Sequence, residues 1–470
     1  MLQLTIIVIY LAGVVLVGLM SRRHARGADS FFVAGRRGSS LLITGSLLAT
    51  ILGASATLGM TGLGYRQGLT GGWWVLVGTV GLVFLGLFLA KKVRDFAVYT
   101  LPEIIEKQYD RRVALAASVL IVVAWIGIVA AQMLAAGKIM SVLGIGDPVL
   151  WMVVIALVTT AYTAIGGQHS VIRTDFVQAA VLFGGVFAGA VMVLVRVGGW
   201  GGLTTALPAD RFAFPVSAQF GWLDLTSMLF LVGLTYLVGP DMYSRLFCAK
   251  DHKVARKSAL LTALLLVPAA LAIVVIGMGS AVLFPTIAPE QAFPAAIKEV
   301  FSPLLGGLIL AALLAAVMSS ADTTMLSAST ILMVDVFGSR QERREKLVAH
   351  SRWAVALIGT AGLIVALLLN GIVSALMFAY TIYTAGVILP VLAGFFKERL
   401  KVTSLGALAA LIGGGGLGLA SKFLAVKYLD LGALLLAGVL LLSVSFVDNR
   451  LRRPEIEEAA GKTSPGVPAG

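Results

Sequence analysis

The chain has 470 residues, 59% of them hydrophobic and only 13% charged, with a mean hydropathy of +0.97 and a formal net charge of +13. Soluble domains are about one-quarter charged, so a water-soluble fold is excluded. The positive excess does not point to nucleic acid, because the Lys and Arg lie in short loops between apolar runs and no basic stretch is interleaved with exposed aromatics. The lone cysteine, Cys248, excludes an internal disulfide and a cysteine-built metal site.

Apolar runs of 18 or more residues recur along the chain, each long enough to cross a hydrocarbon core of roughly 30 Å as a helix. Cut at Gly, Pro and charge clusters, they predict an all-α membrane protein of about thirteen transmembrane helices, starting near residues 2, 41, 72, 112, 148, 175, 223, 256, 303, 347, 372, 402 and 428. Span 1, Leu2 to Met20, has no basic residue ahead of it and Arg22, Arg23 and Arg26 behind it, the reverse of a cleavable signal peptide. Its N-terminus is therefore expected outside, and with that orientation 29 of the 36 Lys and Arg fall in inner loops.

Span 2, Leu41 to Gly64, is small and hydroxylated through its middle, Ala49-Thr50-Ile51-Leu52-Gly53-Ala54-Ser55-Ala56-Thr57. Such a stretch reads either as a close-packing surface or as a binding segment. Span 6 leaves an inner loop through Gly166-Gly167-Gln168-His169-Ser170, with Asp175 near its start; that carboxylate either caps the helix or faces inward as an ion ligand. Two outer pieces, Gly198 to Trp222 and Phe284 to Pro303, read as short lids or interfacial helices. Span 7, Leu223 to Phe247, contains Gly239-Pro240-Asp241, which can break a helix at membrane depth.

The two unusual spans lie five helices apart. Five is odd, so a repeat of that length must be inverted, with helices 2 to 6 and 7 to 11 related by an in-plane pseudo-twofold. Broken helices in such an architecture expose carbonyls and helix termini at the midplane to ions and substrate. The expected units are residues 1–40 (first helix and inner loop), 41–196 (repeat one), 197–222 (outer loop), 223–400 (repeat two), 401–450 (two peripheral helices) and 451–470 (a disordered inner tail).

Span 9 carries Ala316, Ser319, Ser320 and Thr323 along one helical face. Two hydroxyls beside carbonyls freed by a broken helix suit a sodium ion; alternatively each hydroxyl bonds back to a carbonyl one turn earlier. Asp322 lies in the same span, where a carboxylate costs roughly 2.5 to 3.5 kcal/mol to insert and normally lines a pathway or binds a cation.

Taken together, several motifs make the chain resemble the sodium/solute symporters, a family that includes bacterial proline, pantothenate, sialic acid and sugar transporters. They are Gly166-Gly167 with Thr174-Asp175 and Gln178, Thr100-Leu101-Pro102-Glu103, Gly59-Met60-Thr61-Gly62, Asp241 to Arg245 with Ala249-Lys250-Asp251, and Ala315 to Asp322. The resemblance implies an inverted-repeat (LeuT-type) fold with two broken helices. It further implies one Na+ held by the carbonyls of Ala49, Leu52 and Ala316 and the hydroxyls of Ser319 and Ser320. Some members hold a second sodium at positions matching Ser319, Asp322, Thr323 and Asp175. Asp322 stands here in place of their serine, so a second sodium, a proton or a permanent ion pair would each serve. Ile51 likewise replaces a polar residue of several members. Candidate substrate contacts are Ser55, Ala56, Thr57, Trp73, Trp74, Gln132, Tyr236, Phe378, Tyr380 and Tyr383.

The function expected is sodium-coupled import of a small neutral or zwitterionic solute by alternating access, since no buried Arg or Lys is expected in the pocket to hold a multiply charged anion. A proton-coupled or uncoupled carrier on the same fold is the alternative, and a membrane sensor or channel the alternative of another class. No enzyme is expected: there is no Ser/His/Asp set, His/Cys cluster or phosphate loop, and His24, His169, His252 and His350 read as solvated near inner loops. The expected setting is the plasma (inner) membrane with a cytoplasmic C-terminus, and the expected partners are lipid and solute, with no nucleic acid and no obligate protein partner.

Overall fold

A backbone in hydrocarbon must satisfy its own hydrogen bonds, and the chain does so almost entirely as helix. The computed structural model describes residues 2–21, 27–141, 144, 146–338, 344–369, 371–424, 426 and 428–462. Among them there is no β-strand, only isolated bridges between Gly38 and Ala249 and between Ser217 and Phe220. Ten helical stretches are long and apolar enough to cross a bilayer, and Leu2–Val17 and Ser40–Ile51 are shorter apolar helices. Side chains such as Leu264, Leu357, Ile412 and Leu435 are mostly exposed on the outside of the bundle, where lipid rather than water solvates them.

Helix starts follow local chemistry. Ser39, Asp147, Asp251 and Ser302 each cap a helix by accepting a backbone N–H, and Pro148 and Pro303 follow in the first turn, where a missing N–H costs nothing. Thr100 and Glu103 form a reciprocal capping box at the start of Leu101–Gln108. The Pro303–Ile331 helix is buried on every side from Ile309 onward and packs on Pro148–Arg196, Arg111–Ser141 and Leu2–Ser21, as expected of a helix in the middle of a bundle.

Two boundaries differ from the sequence expectation. Pro148–Arg196 runs 49 residues with its one break at Gly167 (φ 56°, ψ −161°), so the second helix of this pair begins near residue 168 rather than 175. A Cβ at Gly167 would also come 2.6 Å from the Phe31 ring, so only glycine combines that backbone with that approach. The polar run after it is no solvated loop: Gln168, Ser170, Thr174 and Asp175 are all buried. Asp175, two turns past the break, therefore does not cap the helix. At the other end, the Leu429–Lys462 helix enters the segment expected to be disordered, consistent with the good helix formers Glu457, Glu458, Ala459 and Ala460. Arg22, Arg23, His24, Arg26 and residues 463–470 lie outside the described residues.

Both interruptions expected in spans 2 and 7 are present. Ser40–Ile51 stops at Leu52 (φ −80°, ψ 35°), and helical geometry resumes at Ala54 with a π-turn, Ser55–Gly59, and Met60–Gln67. Leu234–Leu237 stops at Val238, Gly239 is extended, and Pro240–Cys248 restarts with Pro240 at its first position.

Candidate functional site

The first break frees carbonyls that other helices then satisfy. In an unbroken helix the N–H of Ala54 would close on Thr50. Here it donates to Gln132 Oε1 at 3.0 Å, while the Thr50 carbonyl accepts from Ser320 Oγ at 2.7 Å. The Ala49 carbonyl accepts from Ser319 Oγ at 3.0 Å, and the same hydroxyl lies 3.0 Å from the Ala316 carbonyl. Ala49, Ala316 and Ser319 are wholly buried.

Three of the oxygens predicted for sodium thus converge on Ser319, a fourth is one residue on, and Leu52 stands at the break itself. The donor set is carbonyl and hydroxyl only, neutral and shielded from water. Such oxygens can replace the hydration shell of a monovalent cation, so the residues fit one. Ser319 bonds back to Ala316 three residues earlier and also reaches across to the first broken helix, which a purely local hydroxyl would not do.

A second polar cluster adjoins the first. Asp175 Oδ2 accepts from Ser46 Oγ at 2.5 Å and from Arg245 Nη2 at 3.0 Å. Arg245 also donates through Nε to Ser46 Oγ at 3.0 Å, through Nη1 to Ser244 Oγ at 3.1 Å, and through Nη2 to Thr323 Oγ1. Asp322 accepts from the Tyr162 hydroxyl at 2.5 Å and from Thr323 Oγ1 at 3.2 Å. Asp175, Arg245, Asp322 and Thr323 have no exposed surface.

The sequence reading counted Arg245 among the inner-loop charges. The structure corrects this, because the break at Gly239-Pro240 turns the restarted half-helix inward and places a guanidinium on Asp175. Its sequence signal was its place beside Leu246 and Phe247, ahead of the polar Lys250-Asp251.

Between the broken helices lies a narrow cavity with about 30 Å³ open to water, a small polar void rather than a full-sized ligand pocket. Thr50, Ile51 and Ser55 line it from the first broken helix, Thr235, Tyr236, Asp241 and Met242 from the second. Trp125, Ile128 and Gln132 form one wall, Ser320 and Thr324 another, and Tyr380 closes it. Ser320 thus borders the cavity while bonding the Thr50 carbonyl, so the oxygen cluster and the cavity share a wall.

Of the predicted contacts, Ser55, Gln132, Tyr236 and Tyr380 line this cavity and the others do not. Thr57 bonds its hydroxyl to the Gly53 carbonyl at 2.8 Å, and Ala56 and Trp74 are buried elsewhere in the core. Phe378 is half-buried off the lining. Trp73 donates to the Pro215 carbonyl at 2.8 Å and stacks on Phe214. Tyr383 donates to the Val238 carbonyl freed at the second break and packs edge-on against Trp125 at 4.9 Å, supporting the wall from behind. Sequence reasoning missed Trp125 and Ile128, although they precede Gln132 by seven and four residues and so share its helical face. It also missed Thr50, Thr235, Asp241, Met242 and Thr324 as lining residues.

Known proteins resemble the chain over most of its length. The chain is 24% identical to the sodium/glucose cotransporter of Vibrio parahaemolyticus, over 91% of this chain and 87% of that one. It is 23% identical to the sodium/pantothenate symporter of Haemophilus influenzae, over 98% of each. A Na+-coupled sialic acid symporter, solved in a substrate-bound outward-open state, shares the fold with a TM-score of 0.81 at 19% identity, covering 95% of this chain and 98% of that one. Residues 31–414 match the profile of the sodium:solute symporter family, and the chain belongs to that family of sodium-coupled carriers of small solutes.

Proposed function

We propose that the chain imports a small organic solute together with one sodium ion, bound by the carbonyls of Ala49, Leu52 and Ala316 and the hydroxyls of Ser319 and Ser320. The observation that carries this is Ser319 Oγ, 3.0 Å from the carbonyls of both the first broken helix and the central helix. A cation there ties the two elements together and shapes the cavity wall at Ser320, so it favours the solute-binding state by differential affinity alone. At 100 mV each sodium entering releases about 2.3 kcal/mol, roughly fiftyfold in accumulation before its concentration gradient is added.

At the second cluster Arg245 serves as the fixed cation of Asp175, which leaves a single coupled sodium. The scaffold is thirteen spans with an inverted five-helix repeat, a reading supported by the matched breaks at Leu52-Gly53 and Val238-Gly239. The 49-residue helix would be about 74 Å long, far more than one crossing needs, which supports two spans meeting at Gly167. The charge bias of the loops supports an inner-membrane orientation with the N-terminus outside. With no Lys or Arg among the described residues lining the cavity, the solute is neutral or zwitterionic rather than a multiply charged anion.

Binding of ²²Na+ to purified protein tests the ion site without knowledge of the solute. Saturable binding in the native chain, weakened at least tenfold in the Ser319→Ala, Ser320→Ala double variant, is expected. Equal binding by both proteins refutes the site.

A further inference from the structure

The cavity carries one charged lining residue, Asp241, and nothing basic among the described residues that line it. The nearest guanidinium on its own helix, Arg245, is taken by Asp175, Ser46, Ser244 and Thr323, and Asp241 forms no ion pair among the described residues. A carboxylate kept at membrane depth without a counter-charge is costly, and such residues mark the path of one.

The two half-helix N-termini at the breaks are the places where a carboxylate-bearing solute would ordinarily dock. At each of them a side chain of the protein already stands. Gln132 Oε1 takes the Ala54 N–H, and Asp241 puts its carboxylate in the first turn of the Pro240–Cys248 helix. An anionic group entering the cavity therefore meets a carboxylate as its one charged neighbour among the described lining residues. A cation meets that carboxylate together with the rings of Trp125, Tyr236 and Tyr380, whose faces attract positive charge.

We infer that the transported solute carries a cationic nitrogen, primary to quaternary, which Asp241 receives within this aromatic wall. The inference rests on the proposal that this cavity is the solute site, and it shifts the solute class from neutral or zwitterionic to amine-bearing, with a net cation admitted beside a zwitterion. Any carboxylate on a zwitterionic solute points away from Asp241.

The test uses probes matched in shape and differing in the nitrogen, with the purified full chain in sodium buffer and binding read as thermal stabilisation. Choline is paired with 3,3-dimethylbutan-1-ol, proline with cyclopentanecarboxylate, and putrescine with butane-1,4-diol. The expected result is stabilisation by at least one amine and by none of the nitrogen-free partners. Asp241→Asn is expected to weaken the responding amine at least tenfold, with Asp241→Glu intermediate; the glutamate variant also serves if the asparagine variant does not fold. Stabilisation by a nitrogen-free partner, silence of every amine, or unchanged amine affinity in the variants overturns the inference. A failure of sodium coupling appears separately, in the ²²Na+ binding of the serine variants, and is not confused with these outcomes.

Discussion

Replacing Arg245 by glutamine would leave Asp175 buried with only Ser46 as a partner. Both side chains of the pair have no exposed surface, and Asp175 Oδ1 has no side-chain or backbone donor among the described residues even in the native chain, so no neighbouring protein donor is at hand to compensate. Removing one partner of a buried ion pair costs about 3 to 5 kcal/mol, whereas replacing both by neutral groups is often close to neutral. At an unfolding entropy of roughly 2 cal/mol/K per residue, 470 residues correspond to about 1 kcal/mol per degree. Arg245→Gln is therefore expected to melt about 3 to 5 °C lower, and Asp175→Asn, Arg245→Gln to recover most of that loss.

The chain supplies its own reporter. Cys248 is its only cysteine, is buried, and sits three residues past Arg245, so the onset of labelling by a thiol-reactive fluorophore reads the opening of this region. Native-like melting of the single variant, or a double variant that melts as low as the single, would refute the view that the guanidinium is the resident counter-charge of Asp175.

Gly53→Ala is expected to weaken sodium binding about three- to tenfold. A Cβ there would overlap the Ser320 side chain and stand 3.1 Å from Gln132 Oε1, disturbing hydrogen bonds worth about 1 kcal/mol each; unchanged ²²Na+ affinity would contradict this. Gln132→Ala strands the buried Ala54 N–H, a loss of about 1 to 3 kcal/mol, and should lower the Cys248 labelling melt by a few degrees. Thr100→Ala removes one half of a capping box, about 1 kcal/mol, and is expected to shift the melt by roughly 1 °C while leaving ²²Na+ binding as it was.

Much of the architecture was legible in the sequence because the bilayer imposes a one-dimensional rule: a crossing helix needs a contiguous apolar run, and a break needs residues such as Gly239-Pro240. The serines were legible for the same reason, since helical spacing alone puts Ser319, Ser320 and Ala316 on one face. The helix pair around Gly167 was misread because a polar run normally signals water, and here Gln168, Ser170 and Asp175 face other helices. Trp125 and Asp241 were missed because spacing orders residues along one helix but does not say which neighbour that helix meets.

By itself, then, the sequence determined that this is a many-helix membrane protein with two interrupted spans and a hydroxyl pair on one face of a third. Only the tertiary structure decided which charges meet. The partner of Asp175 is 70 residues away in sequence, and the partner of Asp322, Tyr162, 160 residues away. Burial makes such pairings decisive, because a charge at membrane depth is tolerable only beside its complement, and the chain's order carries no record of which complement folding brings to it.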